Sequence, residues 1–414
     1  MIAERAERLS NVRASHRAAV AKEAPIAMTL LPVIAIMFVA FLVIGLAMPV
    51  LPLYVHHGLG FGMVVVGLVA GAQFAVSVAS RFYAGHQADH RGAKRTITIG
   101  LLMAVASGFL YLGSVAASGQ PTVSLILLLT GRGVLGGGES FIVAGCFVWG
   151  LGLAGPKNTG AVMSLVGAPM YVAYAIGAPI GSLLYAHVGF AGITYATMTL
   201  PLVALLVLAP CRSVQAQVRE KADVRAVLRA VAVPGLGVAF SSIGLGTVTT
   251  FAALHYAHQG WPTTWLAFTA MSAAFVIARA ALGHLPDRFG GARVALACAI
   301  VEAAGQALMW LAPSSLIATV GAALTGFGYA LVYPSLGVEA IRRAPAQSRG
   351  LASGAYTACL DVALGIGNPV FGGVASAAGL ASVFGVGALL VLGAAVIALM
   401  LTLATPKKAA PHGN

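Results

Sequence analysis

Twelve stretches of this chain each hold about twenty mostly apolar residues, the length a helix needs to cross the hydrocarbon core of a bilayer. Their cores lie at 30–53, 62–84, 96–116, 122–150, 161–186, 190–210, 233–256, 264–284, 292–312, 315–340, 352–375 and 381–403. Backbone N–H and C=O groups in lipid must be paired within the segment, so these stretches are read as helices. The remainder of the composition agrees. Only 8% of the residues are charged and 59% are hydrophobic, too few charges to cover the surface of a soluble protein of 414 residues. Glycine is abundant at 51 residues, which suits helices that pack closely in lipid.

Of the 24 lysines and arginines, 23 fix an orientation and Arg132 falls inside the fourth span. Arg5, Arg8, Arg13, Arg17 and Lys22 lie before the first span. Arg81, Arg91, Lys94 and Arg95 are assigned to the second-to-third connection, and Lys157 follows the fourth span. Arg212, Arg219, Lys221, Arg225 and Arg229 fall in the centre of the chain. Arg279, Arg288 and Arg293 are assigned to the eighth-to-ninth connection, Arg342, Arg343 and Arg349 follow the tenth span, and Lys407 and Lys408 end the chain. All of these sit on one side, and the six opposite connections carry none. The positive-inside rule puts that side, with both termini, in the cytoplasm. The formal charge of +13 is therefore read as membrane topology, with no nucleic-acid partner. The N-terminal stretch has no apolar core and is not a cleavable signal. Cys146, Cys211, Cys298 and Cys359 lack metal-site or disulfide spacing. His255 and His258 have no carboxylate or cysteine nearby, so no metal site is expected.

Two stretches resemble each other. GHQADHRGAKR at 85–95 and GHLPDRFGGAR at 283–293 align at an offset of 198 residues. The alignment matches Arg81 with Arg279, Gly85 with Gly283, Asp89 with Asp287, Gly92 with Gly290 and Arg95 with Arg293. LTGRG at 129–133 matches LTGFG at 324–328, and IGAPIG at 176–181 matches IGNPVF at 366–371. A duplication of this scale is common in secondary transporters. The expected fold is an all-α polytopic membrane protein of twelve transmembrane helices in two pseudo-symmetric six-helix halves. Its parts are an N-terminal arm (1–25), a first half (26–210), a central loop with a surface amphipathic helix (211–231), a second half (232–404) and a tail (405–414).

The motif at 85–95 is similar to the loop signature G-x-x-x-D-[RK]-x-G-[RK]-[RK] of the major facilitator superfamily, with His90 and Ala93 departing from it. PVLPLYV at 49–55 resembles that family's first-helix exit. Within the superfamily the chain looks most like bacterial sugar- and drug-efflux permeases of the arabinose-efflux-like branch. The resemblance implies an inner-membrane transporter that works by alternating access. The repeated Gly85, Asp89, Gly92, Lys94, Arg95, Asp287 and Arg293, with Glu339, are read as a switchable cytoplasmic latch, favoured over a plain anchoring loop. The fifth helix carries a shorter variant of the family's antiporter motif, and Gly177, Pro179 and Gly181 are read as a helix-packing gate.

Ionisable groups inside a span cost several kcal/mol unless paired or wetted, and by default mark a pathway. Arg132, Glu139, Glu302 and Asp361 are the four that stand out. Arg132 opens RGVLGGGES, which looks like the family's fourth-helix motif associated with proton coupling. Glu139 returns to the same helix face, about 10 Å along the axis. Neither Arg132 nor Asp361 has a charged repeat partner; the counterparts are Phe327 and Tyr171. Glu302 faces either the cavity or a helix partner such as Gln306. Gln73, Tyr171 and Tyr174 are read as substrate hydrogen-bonders.

The function expected is proton-coupled efflux of a small organic solute, sugar-like or drug-like, by a monomer that is not an enzyme and needs no cofactor. Uptake by symport or facilitation shares the fold. A non-transporting sensor or scaffold is the rival from another class.

Overall fold

The computed structural model describes residues 26–155, 158–211, 213, 224–345 and 348–404. The N-terminal arm, the tail, Lys157 and most of the stretch expected as a surface helix lie outside the described residues. Twelve long helices follow in order: α1 (Ile26–Gly58), α2 (Met63–Arg91), α3 (Ala93–Ala116), α4 (Pro121–Ala154), α5 (Thr159–Val188), α6 (Phe190–Leu208), α7 (Val224–His258), α8 (Leu266–Leu282), α9 (Gly291–Trp310), α10 (Ser315–Arg343), α11 (Arg349–Ala378) and α12 (Leu380–Ala404). No described residue is in a strand.

Eleven of the helices are long and apolar enough to cross a membrane by length and composition; α8, with 17 residues, is shorter. It stops where Gly283 and His284 turn the chain into a one-turn helix, Leu285–Phe289. Helix α7 begins at Val224 and takes up the last part of the expected central loop.

Each half repeats one packing plan. In the first, α4 packs on α2 and α3, and α3 on α6; in the second, α10 packs on α8 and α9, and α9 on α12. The repeat extends to backbone geometry. Gly92, between α2 and α3, has φ +89°, and Gly290, just before α9, has φ +89° as well. A residue with a Cβ rarely adopts that conformation, so a glycine stands at the same bend in both halves.

The halves meet along two seams, α2 against α11 and α5 against α8. Small residues make the first seam close: a Cβ on Gly67 would run into the backbone of Asn368 and Pro369, and one on Gly372 into that of Met63 and Val64. These contacts lie toward the ends of α2 and α11 remote from the basic loops. The Leu51–Leu53 turn of α1 meets α7 at that same end. On the second seam, Thr269 donates a hydrogen bond to the Ala175 carbonyl at 3.4 Å, and the Tyr174 ring lies 5.7 Å from that of Phe268. The bundle is thus drawn together at the end opposite the basic loops.

Candidate functional site

Arg81 and Asp361 form an ion pair across the α2–α11 seam, so the guanidinium of one half is held by the carboxylate of the other. Between described residues this is the one ion pair joining the halves; the other, Glu339 with Arg342 at 2.7 Å, is internal to α10. The side chains are 20% and 4% exposed. Arg81 was expected in a loop, and the structure corrects this. It lies eleven residues before the Gly92 bend, about 16 Å up a straight helix, close to the mid-depth of a bilayer. Arg279 was likewise expected in a loop and lies instead in the last turn of α8, which runs on to Leu282 before the turn at Gly283 and His284.

A polar network spreads from the pair into the first half. Arg81 also donates to Ser77 Oγ at 3.4 Å, and the hydroxyls of Ser77 and Ser140 lie 2.9 Å apart. One residue before Ser140, Glu139 accepts a hydrogen bond from Gln73 Nε2 at 2.6 Å. Glu139 lies within electrostatic reach of Asp361, Arg81 and Arg132. Helix α4 can bring it so close because Gly136 rests on the backbone of Gln73, where a Cβ would overlap the carbonyl. Gly138 packs in the same manner against Gly100 of α3.

Arg132 is 1% exposed and donates Nε–H to the Val69 carbonyl at 3.3 Å; its Nη1 has no partner among the described residues. It is within electrostatic reach of Tyr174 as well as Glu139. The second half contributes phenols and a hydroxyl: Tyr333 and Thr357 lie 2.9 Å apart, and the Tyr356 hydroxyl donates to the Tyr333 carbonyl at 2.6 Å. Tyr171 stacks on Phe275 across the α5–α8 seam, ring centroids 3.3 Å apart. Cationic, acidic and hydroxylic groups at the meeting of two six-helix halves form a centre able to hold a polar solute or exchange protons.

The Major Facilitator Superfamily model matches residues 33–268 and again, overlapping, 235–414. The chain belongs to the major facilitator superfamily. It is 39% identical over 374 residues to an uncharacterized MFS-type transporter of Salmonella typhimurium, covering 90% of this chain and 96% of that one. Among solved structures it resembles the nucleoside transporter NupG, with a TM-score of 0.73, 14% identity, and 90% and 99% of the two chains covered. It also resembles a D-xylose–proton symporter, with a TM-score of 0.72, 14% identity, and 92% and 98% covered. Those two likenesses speak for the fold. This superfamily member is a multi-pass membrane transporter rather than an enzyme.

The other residues singled out in the sequence fall in three places. Glu302 is fully buried within the second half, where Ser241 Oγ donates to its Oε2 at 2.5 Å and Oε1 has no hydrogen-bond partner among the described residues. Gly244 and Gly328 make room for it, away from the seam between the halves. Gln306, one turn on, bonds to Thr247, Thr325 and the Gly244 carbonyl. Gly177 and Gly181 press α5 against Gly45 and Leu46 of α1, so the close contact they permit is inside the first half; Pro179 lies between them in α5.

The expected latch residues are spread along the basic end. Lys94 donates to the Ala209 and Cys211 carbonyls, both at 2.8 Å, and so ties α3 to the end of α6. Asp89 is half-buried, Asp287, Arg95 and Arg293 are exposed, and none of these four has an ion-pair or hydrogen-bonding side-chain partner among the described residues. Gly85 has open space around it.

Sequence reasoning missed Arg81, Ser77 and Ser140. For Arg81 a signal was present, because eleven residues of helix separate it from the glycine bend.

Proposed function

We propose that this transporter exports a small organic solute in exchange for protons, by alternating access, across a bacterial inner membrane with both termini in the cytoplasm. The observation that carries the reading is the Arg81–Asp361 pair, set at mid-depth on a seam between the halves with Glu139 in its field. A proton delivered to Asp361 removes the charge that holds Arg81, so the seam loses its ionic contact. A two-state bundle whose seam depends on one protonation event is biased by the proton gradient. Arg132 and Glu139 share this role in the first half, and Gln73, Tyr171 and Tyr174 supply polar contacts to the solute.

The latch reading is supported by the same geometry. The halves approach at the end remote from the basic loops, and Asp89 has no side-chain partner among the described residues. A latch at the basic end would engage when the bundle rocks to close there. Import in symport with protons uses the same groups and differs in the direction of flux; the D-xylose–proton symporter is a relative in fold alone.

Everted membrane vesicles with an imposed proton gradient test the reading. Addition of an exported solute is expected to dissipate the gradient in vesicles carrying the wild-type chain and not in those carrying Asp361→Asn. Solute entry that proceeds at the same rate with and without the gradient would remove proton coupling. Solute that drives proton flux in the opposite sense would establish symport.

A further inference from the structure

The two seams are built from one plan but are not filled alike. In the first, Arg81 of α2 meets Asp361 of α11. The repeat places Arg279 of α8 where Arg81 stands, and Tyr171 of α5 where Asp361 stands. Helix α8 does pack on α5, and Arg279 and Tyr171 are within electrostatic reach of each other. The second seam therefore keeps the cation and lacks the acid.

Arg279 has found a weaker arrangement. Its Nη1 donates to the Ala330 carbonyl at 3.3 Å, and no carboxylate pairs with it among the described residues. Tyr333 stands close on the α10 side. Arg279 is half-buried, so the residue is not sealed inside the bundle. One turn back on the same helix face, Phe275 carries the stacked ring of Tyr171, which sets an aromatic surface beside the charge. The balance of charge points the same way. Near the seams stand Arg81, Arg132 and Arg279 against Glu139 and Asp361, three cations to two acids even when both acids are ionised. A partly buried cation with no acid partner among the described residues is costly, and a carboxylate is the group its planar fork holds best.

We infer that the solute carries the missing acid: an organic carboxylate whose charged group pairs with Arg279 and whose apolar body lies on Tyr171 and Phe275. The inference rests on reading the seam as the transport pathway. It does not depend on the direction of flux or on proton coupling.

The test is equilibrium binding to the purified full-length chain in detergent at fixed pH with no gradient, so it fails independently of the coupling experiment. The probes are lactate, succinate and benzoate, with lactamide and benzamide as neutral counterparts and inorganic phosphate as an anion without an apolar body. At least one carboxylate is expected to bind and to raise the unfolding temperature, while its amide and phosphate do not. Arg279→Gln is expected to weaken that binding by about tenfold or more, the loss of one charge-assisted contact. Tyr171→Asp supplies an acid from the chain itself and is expected to abolish carboxylate binding while leaving the unfolding temperature of the free protein unchanged or higher. No binding by any of the three carboxylates, equal binding of an amide, equal binding of phosphate, or undiminished binding in both variants would each overturn the inference.

Discussion

Arg81 reaches across the seam between two homologous halves to Asp361, and in doing so turns a repeated structural element into an asymmetric one. The residue aligned with Arg81 is another arginine, whereas the residue aligned with Asp361 is a tyrosine. Pairing is therefore a property of one seam, and the first prediction follows from it.

Removing one partner of a pair this buried leaves the other charge uncompensated, at a cost on the order of 3 kcal/mol. Asp361→Asn is expected to lower gradient-driven transport at least tenfold, as is Arg81→Gln. The exchange Arg81→Asp with Asp361→Arg restores the pair in reverse and is expected to recover part of the seam's stability. Unfolding temperatures of Arg81→Asp, Asp361→Arg and the variant carrying both give the coupling directly. A double variant no more stable than the sum of the singles would show that the pair does not hold the seam.

Glu139 differs from Asp361 in being held by an amide, Gln73 Nε2, rather than by a cation. Glu139→Gln keeps a side chain of the same shape that still accepts that hydrogen bond, but it cannot exchange a proton. It is expected to fold normally, bind solute, and lose transport driven by a pH gradient. Unchanged pH-driven flux would remove Glu139 from the mechanism.

Two glycines separate folding from switching. A Cβ on Gly136 would overlap the Gln73 carbonyl inside the first half, and one on Gly67 would overlap the Asn368 backbone in the other half. Gly136→Ala is expected to destabilise the protein by about 1–3 kcal/mol, seen as a lower unfolding temperature. Gly67→Ala meets its obstacle only while the halves are together at that end. It is expected to leave the unfolding temperature nearly unchanged and to shift the population toward the conformation parted there, read by spin-label distances between α2 and α11.

The basic end offers a contrast of a similar kind. Lys94 satisfies carbonyls at the end of α6, so Lys94→Gln is expected to cost about 0.3–1 kcal/mol of stability and to leave transport intact. Asp89→Asn, at a residue with no side-chain partner among the described residues, is expected to slow turnover more than it weakens solute binding. Stopped-flow uptake alongside equilibrium binding distinguishes the two effects; a pure loss of affinity would count against the latch.

Much of this architecture was legible in the chain. Apolar length marks helices in lipid with little ambiguity, because hydrocarbon leaves the backbone no alternative. The repeat around Gly92 and Gly290 survives to the φ angle. The buried acids were also visible, since few residue types are so costly at mid-depth. Arg81 was obscured by its sequence neighbours: an arginine near a basic loop reads as part of it, and only helix rise places the side chain far inside. Pairing was obscured for another reason. Asp361 and Arg81 are 280 residues apart, and nothing local in either stretch says that α2 and α11 are neighbours. Gly177 and Gly181 illustrate a third limit, for small residues announce a close approach without naming the helix that approaches.

The unlike seams imply that two physical variables act at separate places in the molecule. On the proton-coupled reading proposed above, the α2–α11 contact answers to proton concentration through Asp361. The α5–α8 contact, where Tyr171 lies flat on Phe275, answers to the adhesion of apolar surfaces, which weakens on cooling. Rocking of the halves thus draws its sensitivity to acidity from one flank and much of its sensitivity to temperature from the other, so a change confined to either flank alters one response and spares its counterpart.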